Sequence, residues 1–108
     1  MKWTVEPLNT TVAEELLALP SGMRARFLRV AELLNEFGPQ QVGVPHVRHL
    51  EGKLWEMRLL GKEGIGRAIY VATPGRRIVV LHAFVKKTEK TPRRALDLAR
   101  RRSREVFP

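Results

Sequence analysis

The run from Leu81 to Pro92, LHAFVKKTEKTP, constrains this chain more than any other. It begins inside an apolar stretch, Ile78 to Phe84, whose length and β-branched content predict a buried strand. It then turns cationic, with Lys86, Lys87 and Lys90 and a single acid, Glu89, among them. Thr91-Pro92 closes it and predicts a helix start. A threonine hydroxyl can accept from the free N–H groups of a first turn, and proline fits the first helical position. A strand that ends in lysines and hands over to a helix delivers His82, Phe84 and Lys86 to one rim of a sheet.

The rest of the chain supplies that sheet. Lys2 to Val5 reads as a short strand ended by Pro7, with Trp3 and Val5 on one face. Thr11 and Glu14 have capping-box spacing for a short helix that Pro20 closes. Ser21 is expected to cap a longer helix, in which Met23, Phe27, Val30, Leu34 and Phe37 recur on one face until Gly38-Pro39 stops it. Gln40 to Gly52, with Gly43 and Pro45, reads as a loop holding His46, Arg48 and His49. Leu54 to Leu60 alternates apolar Trp55, Met57 and Leu59 with Glu56 and Arg58, a half-buried strand. Ile65 to Ala72 is a second strand carrying Arg67 and Tyr70, and Thr73-Pro74-Gly75 turns the chain into the third, Arg77 to Val85. From Thr91 to about Val106 a basic helix follows, with an apolar seam at Ala95, Leu98 or Ala99, and Val106. The expected order is β-α-α-β-β-β-α, an α+β domain spanning residues 1–108, with helices covering one face of a small antiparallel sheet.

Charge narrows the function classes. Residues 1–52 hold five basic and six acidic residues, a net of −1, and residues 53–108 hold fifteen and five, a net of +10. The basic half suits a polyanion, of which nucleic acid is the commonest; an acidic protein, or a face that only confers solubility, fits it as well. There is no cysteine, so no disulfide framework or thiolate metal site, and three scattered histidines do not suggest zinc. No apolar run approaches the roughly 20 residues of a membrane span. The opening MKWTVEP has no secretory apolar core, and a cytoplasmic protein is expected.

The pleat predicts a cluster of Arg58, Arg67, His82 and Lys86 if the strands register suitably. The same parity sets Ile65, Ile69 and Val71 beside Arg67, so part of that face must be covered. An arginine inside a sheet is costly unless it is paired or meets an anion. Arg58 has Glu56 or Glu51 as internal partners; Arg67 has no acid within its own strand and is the stronger candidate for a phosphate clamp. RNA can be cut without a metal or cofactor when its 2′-hydroxyl attacks the adjacent phosphorus. Arginine and lysine would stabilise the added charge. His82, Tyr70, Glu56 or a lysine would move protons, and Phe84 would stack a base.

KLWEMR (Lys53 to Arg58), GRAIY (Gly66 to Tyr70) and LHAFVKKTEKTP resemble the phage-derived, HigB-like branch of the RelE/ParE toxin superfamily, over nearly the whole chain. The resemblance implies a RelE-like fold and the toxin of a type II toxin–antitoxin pair. It implies a metal-independent mRNA endoribonuclease, often ribosome-dependent, opposed by a small helix-turn-helix antitoxin. By position, Arg67 matches the arginine to which the family owes phosphate stabilisation, with Arg58, Lys86 and His82 as further catalytic candidates. Lys87, Lys90, Phe84 and Tyr70 are expected to bind substrate. Relatives often carry an acid near Ala95, and some a loop histidine near His46 and His49. Two other classes share these features: a gyrase-directed toxin of the ParE type, and a non-catalytic RNA-binding phage remnant.

Overall fold

The computed structural model describes residues 2–43, 45–86 and 90–108. Among these, five strands and three helices follow in the order β1 (Thr4–Pro7), α1 (Thr10–Leu17), α2 (Ser21–Phe37), β2 (Val47–Glu51), β3 (Leu54–Gly61), β4 (Gly64–Thr73), β5 (Arg77–Lys86) and α3 (Arg93–Ser103). The strands form one sheet in the order β1-β5-β4-β3-β2. The expected α+β class holds, with β3, β4 and β5 as the antiparallel meander.

Three features differ from the sequence reading. The segment read as a loop contains β2, paired antiparallel to β3 with Val47 opposite Met57 and Arg48 opposite Glu56. Its glycine and proline neighbours masked a short alternation. β1 joins the sheet parallel to β5, with Val5 opposite Ile78, because the α1–α2 hairpin separates β1 from the meander and returns the chain to the far side. Finally, the helices cover both faces. α1 and α2 pack Val12, Met23, Val30 and Leu34 on Met57, Leu59, Tyr70, Ile78 and Val80. On the other face α3 packs Ala95 and Ala99 on Ile69, Val71, Val79 and Leu81. The unbroken apolar run of β5 is what a strand covered on both sides requires. Each such side chain contributes roughly 1.5–3 kcal/mol.

The helix starts also differ from expectation. Asn9 caps α1, its Oδ1 accepting the Val12 N–H at 3.0 Å, so Thr11 lies inside the first turn. Ser21 is the first residue of α2, behind Pro20, with no side-chain cap. Pro92 stands at the cap of α3, and the Thr91 hydroxyl is engaged elsewhere. The stop after α2 is as expected: Gly38 has φ 80°, and a Cβ there would lie 2.9 Å from Trp3 Nε1. Another close approach is at Gly66, where a Cβ would meet Met23 Sδ at 2.8 Å; the bare backbone lets α2 settle on β4 beside Arg67.

Candidate functional site

The antiparallel register sets Arg58 opposite Arg67 and Arg67 opposite Phe84, one row across three strands. Alternation puts Glu56 and Arg58 of β3, Arg67 and Ile69 of β4, and Phe84 and Lys86 of β5 on the α3 face. Lys86 stands opposite Ile65, one pleat beyond the row, and is 5% exposed. The register therefore puts Arg58, Arg67 and Lys86, three of the four residues of the expected cluster, on one face of the sheet.

Arg67 is nonetheless not alone with a vacant anion site. It is 0% exposed, and its Nη1 lies 3.6 Å from Oε1 of Glu56, which is also 0% exposed. This corrects the expectation that Arg67 lacks an acid. None sits in its own strand, but the neighbouring strand supplies one along the diagonal. Glu56 is the hub of the site. Its Oε1 accepts from Arg48 Nε at 3.1 Å, and its Oε2 accepts from the Thr91 hydroxyl at 2.5 Å. Arg48 Nη2 reaches the same hydroxyl at 3.4 Å. A carboxylate so deep is tolerated because charge-assisted donors surround it. The contact also ties Thr91, at the approach to α3, to β3.

His82 is held in a different set of contacts. A register shift between Ile69 and Tyr70 places it in an irregular stretch of β5. Its Nδ1 lies 2.8 Å from Glu15 Oε1 of α1, and Glu15 also accepts the Ala83 N–H at 3.1 Å and the Arg102 guanidinium at 3.0 Å. Arg102 donates at 2.8 Å to the Leu81 carbonyl, tying α3 to β5. Burial opposes the charged form of Glu15, but the bonds from Arg102, His82 and Ala83 outweigh it and hold the carboxyl below its usual range. The His82 ring stacks on Phe84, centroids 4.8 Å apart at 24°. Both border a hollow of about 390 Å³ closed by Pro92, Arg94, Ala95, Leu98 and Arg101.

The other expected residues divide. Tyr70 is fully buried among the α1–α2 core residues, on the opposite face from Arg67, so it does not belong to the cluster. Arg67 and Tyr70 are three apart, and an odd spacing in a strand separates faces. Lys90 is exposed, and Lys87 lies outside the described residues. His49 is in β2, with Nε2 2.7 Å from the Gly52 carbonyl and its ring edge-on to Trp55; the His46 carbonyl accepts the Arg58 N–H at 2.9 Å. Ala95 is buried against the sheet, where an acid would lose its water. Sequence reasoning missed Arg48, Thr91, Glu15 and Arg102. Arg48 lay in the supposed loop, and the other three matter only through contacts far apart in the chain.

A family model of phage-derived Gp49-like proteins matches residues 14–104. Among solved structures, the chain is similar to one in the crystal structure of the archaeal RelE–RelB complex from Pyrococcus horikoshii OT3. The identity is 28% and the TM-score 0.60, over 79% of this chain and 96% of that one. No curated protein sequence matches.

Proposed function

The chain belongs to the family of phage-derived Gp49-like proteins, within the RelE-type toxin superfamily, and on that premise we propose that it is an mRNA endoribonuclease of a toxin–antitoxin pair. The observation that carries this reading is the row of Arg58, Arg67 and Phe84 on adjacent strands, with Lys86 one pleat beyond. Adjacent strands are about 4.8 Å apart, a spacing that lets two guanidiniums address different oxygens of one phosphate. The 2′-oxygen forms a bond to phosphorus and the bond to the 5′-oxygen breaks. One proton leaves the 2′-oxygen and one is taken up by the 5′-oxygen. Arg67, Arg58 and Lys86 stabilise the charge on the phosphoryl oxygens. Phe84 offers a stacking face for a base, and Lys87 and Lys90 supply charge for the RNA backbone. His82, tied to Glu15 and stacked on Phe84, suits holding that platform better than carrying a proton.

The anion beside Arg67 in the free protein is Glu56, so a substrate phosphate must displace it or join it, and the Thr91 contact must yield. The RelE–RelB complex supports an antitoxin partner for this chain. We assign that partner to the helix-turn-helix class, and propose messages on the ribosome, in the cytoplasm, as the substrate. Among the described residues no helix is long and apolar enough to cross a membrane.

Expression without the antitoxin is expected to arrest growth with cleaved messages. Arg67→Ala combined with Lys86→Ala is expected to relieve the arrest while the circular dichroism spectrum is kept. DNA damage with translation intact would instead mark a gyrase-directed toxin. Harmless expression with RNA binding but no cleavage would mark a non-catalytic protein.

A further inference from the structure

The first two helices leave an apolar groove of about 350 Å³ open to solvent. Ala13, Leu16 and Leu17 line it from α1, and Arg24, Phe27 and Leu28 from α2. Each set has spacings of three and four, one stripe of a helix. Pro7 of β1 completes the lining. Leu16 and Phe27 pack partly on the core. Leu17 and Leu28 are 68% and 61% exposed, more than any other large hydrophobic side chain among the described residues. A lone exposed leucine is ordinary, but two of them bordering one apolar groove make a contiguous patch.

The groove carries one charge. Arg24 Nη1 donates at 3.2 Å to the carbonyl of Leu17, in the last turn of α1, where carbonyls lack helical partners. That bond holds the guanidinium at the groove. No acidic residue lines the groove, and among the described residues Arg24 has no carboxylate partner. Charge then decides between occupants. A second copy of the chain, groove on groove, would bring two Arg24 side chains into a lining without an acid, between chains that each carry +9. RNA is disfavoured as well, since a single cation answers little of a phosphate backbone. An amphipathic helix fits: apolar side chains at spacings of three and four enter between α1 and α2, and an acid meets Arg24.

We propose that this groove binds an amphipathic helix of the antitoxin, its apolar stripe between α1 and α2 and an acidic residue against Arg24. The inference rests on the reading of the chain as one member of a toxin–antitoxin pair. α1 and α2 pack on the sheet face opposite the arginine row. The groove therefore anchors the partner at a place separate from the residues that handle the phosphate.

The probe is a synthetic helical peptide of about four turns, with leucines at i, i+3, i+4 and i+7 and a glutamate at one end. A second peptide has lysine in place of the glutamate. Both are titrated by fluorescence anisotropy into the full-length protein. The wild type is expected to prefer the glutamate peptide several-fold, and Arg24→Glu to reverse that preference. Leu17→Ser combined with Leu28→Ser is expected to weaken both peptides about tenfold or more, and to keep the Tm because both leucines are exposed. In cells, that double variant is expected to arrest growth as the wild type does but to escape protection by the protein encoded beside it. If the wild type binds the peptides but gains no protection, the antitoxin reading fails, and the occupant with it. If that protein protects the wild type and the double variant alike, the groove proposal is overturned and the antitoxin reading stands. The groove proposal is equally overturned if neither peptide binds the wild type, or if Arg24→Glu leaves the preference unchanged.

Discussion

The two faces of the sheet bury polar groups in opposite ways. Toward α3, Glu56, Arg67 and Lys86 are almost wholly removed from water, and Glu56 gathers Arg48, Arg67 and Thr91 around one carboxylate. Toward α1 and α2 the buried surface is, among the described residues, apolar except for the Tyr70 hydroxyl, which has no hydrogen-bond partner among them. Charge is kept inside where partners from several strands can meet it. A lone neutral donor sits within the apolar core. The first arrangement makes each member depend on the others, while the second leaves a group that can be removed without loss.

That contrast is open to breakage. The largest effect is expected at Glu56. Glu56→Ala strands Arg67 and Arg48 without their shared carboxylate and should cost about 3–5 kcal/mol in urea unfolding; a loss below 1 kcal/mol would mean that the hub is not a unit. Thr91→Ala removes a hydrogen bond to a buried charge and should cost about 1.5–3 kcal/mol. On the other face the sign reverses: Tyr70→Phe should stabilise the free protein by about 1 kcal/mol in the same assay. The smallest effect is confined to acid. Glu15 has a depressed carboxyl in the folded state, so its contribution is complete above the unfolded value near 4.5 and is lost as pH falls through the lower folded value. Stability should decline more steeply below pH 4.5 in the wild type than in Glu15→Gln.

Much of this contrast was legible from residues close together in the chain. The alternation of Glu56 and Arg58 with Trp55, Met57 and Leu59 identified β3 and its faces, and the apolar stretch from Ile78 to Phe84 identified β5. The family likeness rested on those same motifs, and the Gp49-like match over residues 14–104 agrees with it. What stayed hidden depends on register and on distant partners. Glu56 meets Arg67 only because β3 and β4 pair as they do, and Glu15 reaches His82 across 67 positions. Tyr70 was grouped with the arginines although its odd spacing from Arg67 already set it on the other face. Thr91 reads as a helix cap in isolation, and becomes a donor to Glu56 once β3 lies beneath it.

The central claim is that the arginine row handles the scissile phosphate. It is tested most directly by mapping the 5′ ends of cellular messages after matched expression of the wild type and Arg67→Ala. The account predicts new 5′ ends within the reading frames for the wild type, and a loss of about 10²–10³ in cleavage rate for the variant, the scale of removing one stabiliser of transition-state charge. Equal cleavage by a folded Arg67→Ala protein would contradict it and leave Arg67 as the internal partner of Glu56.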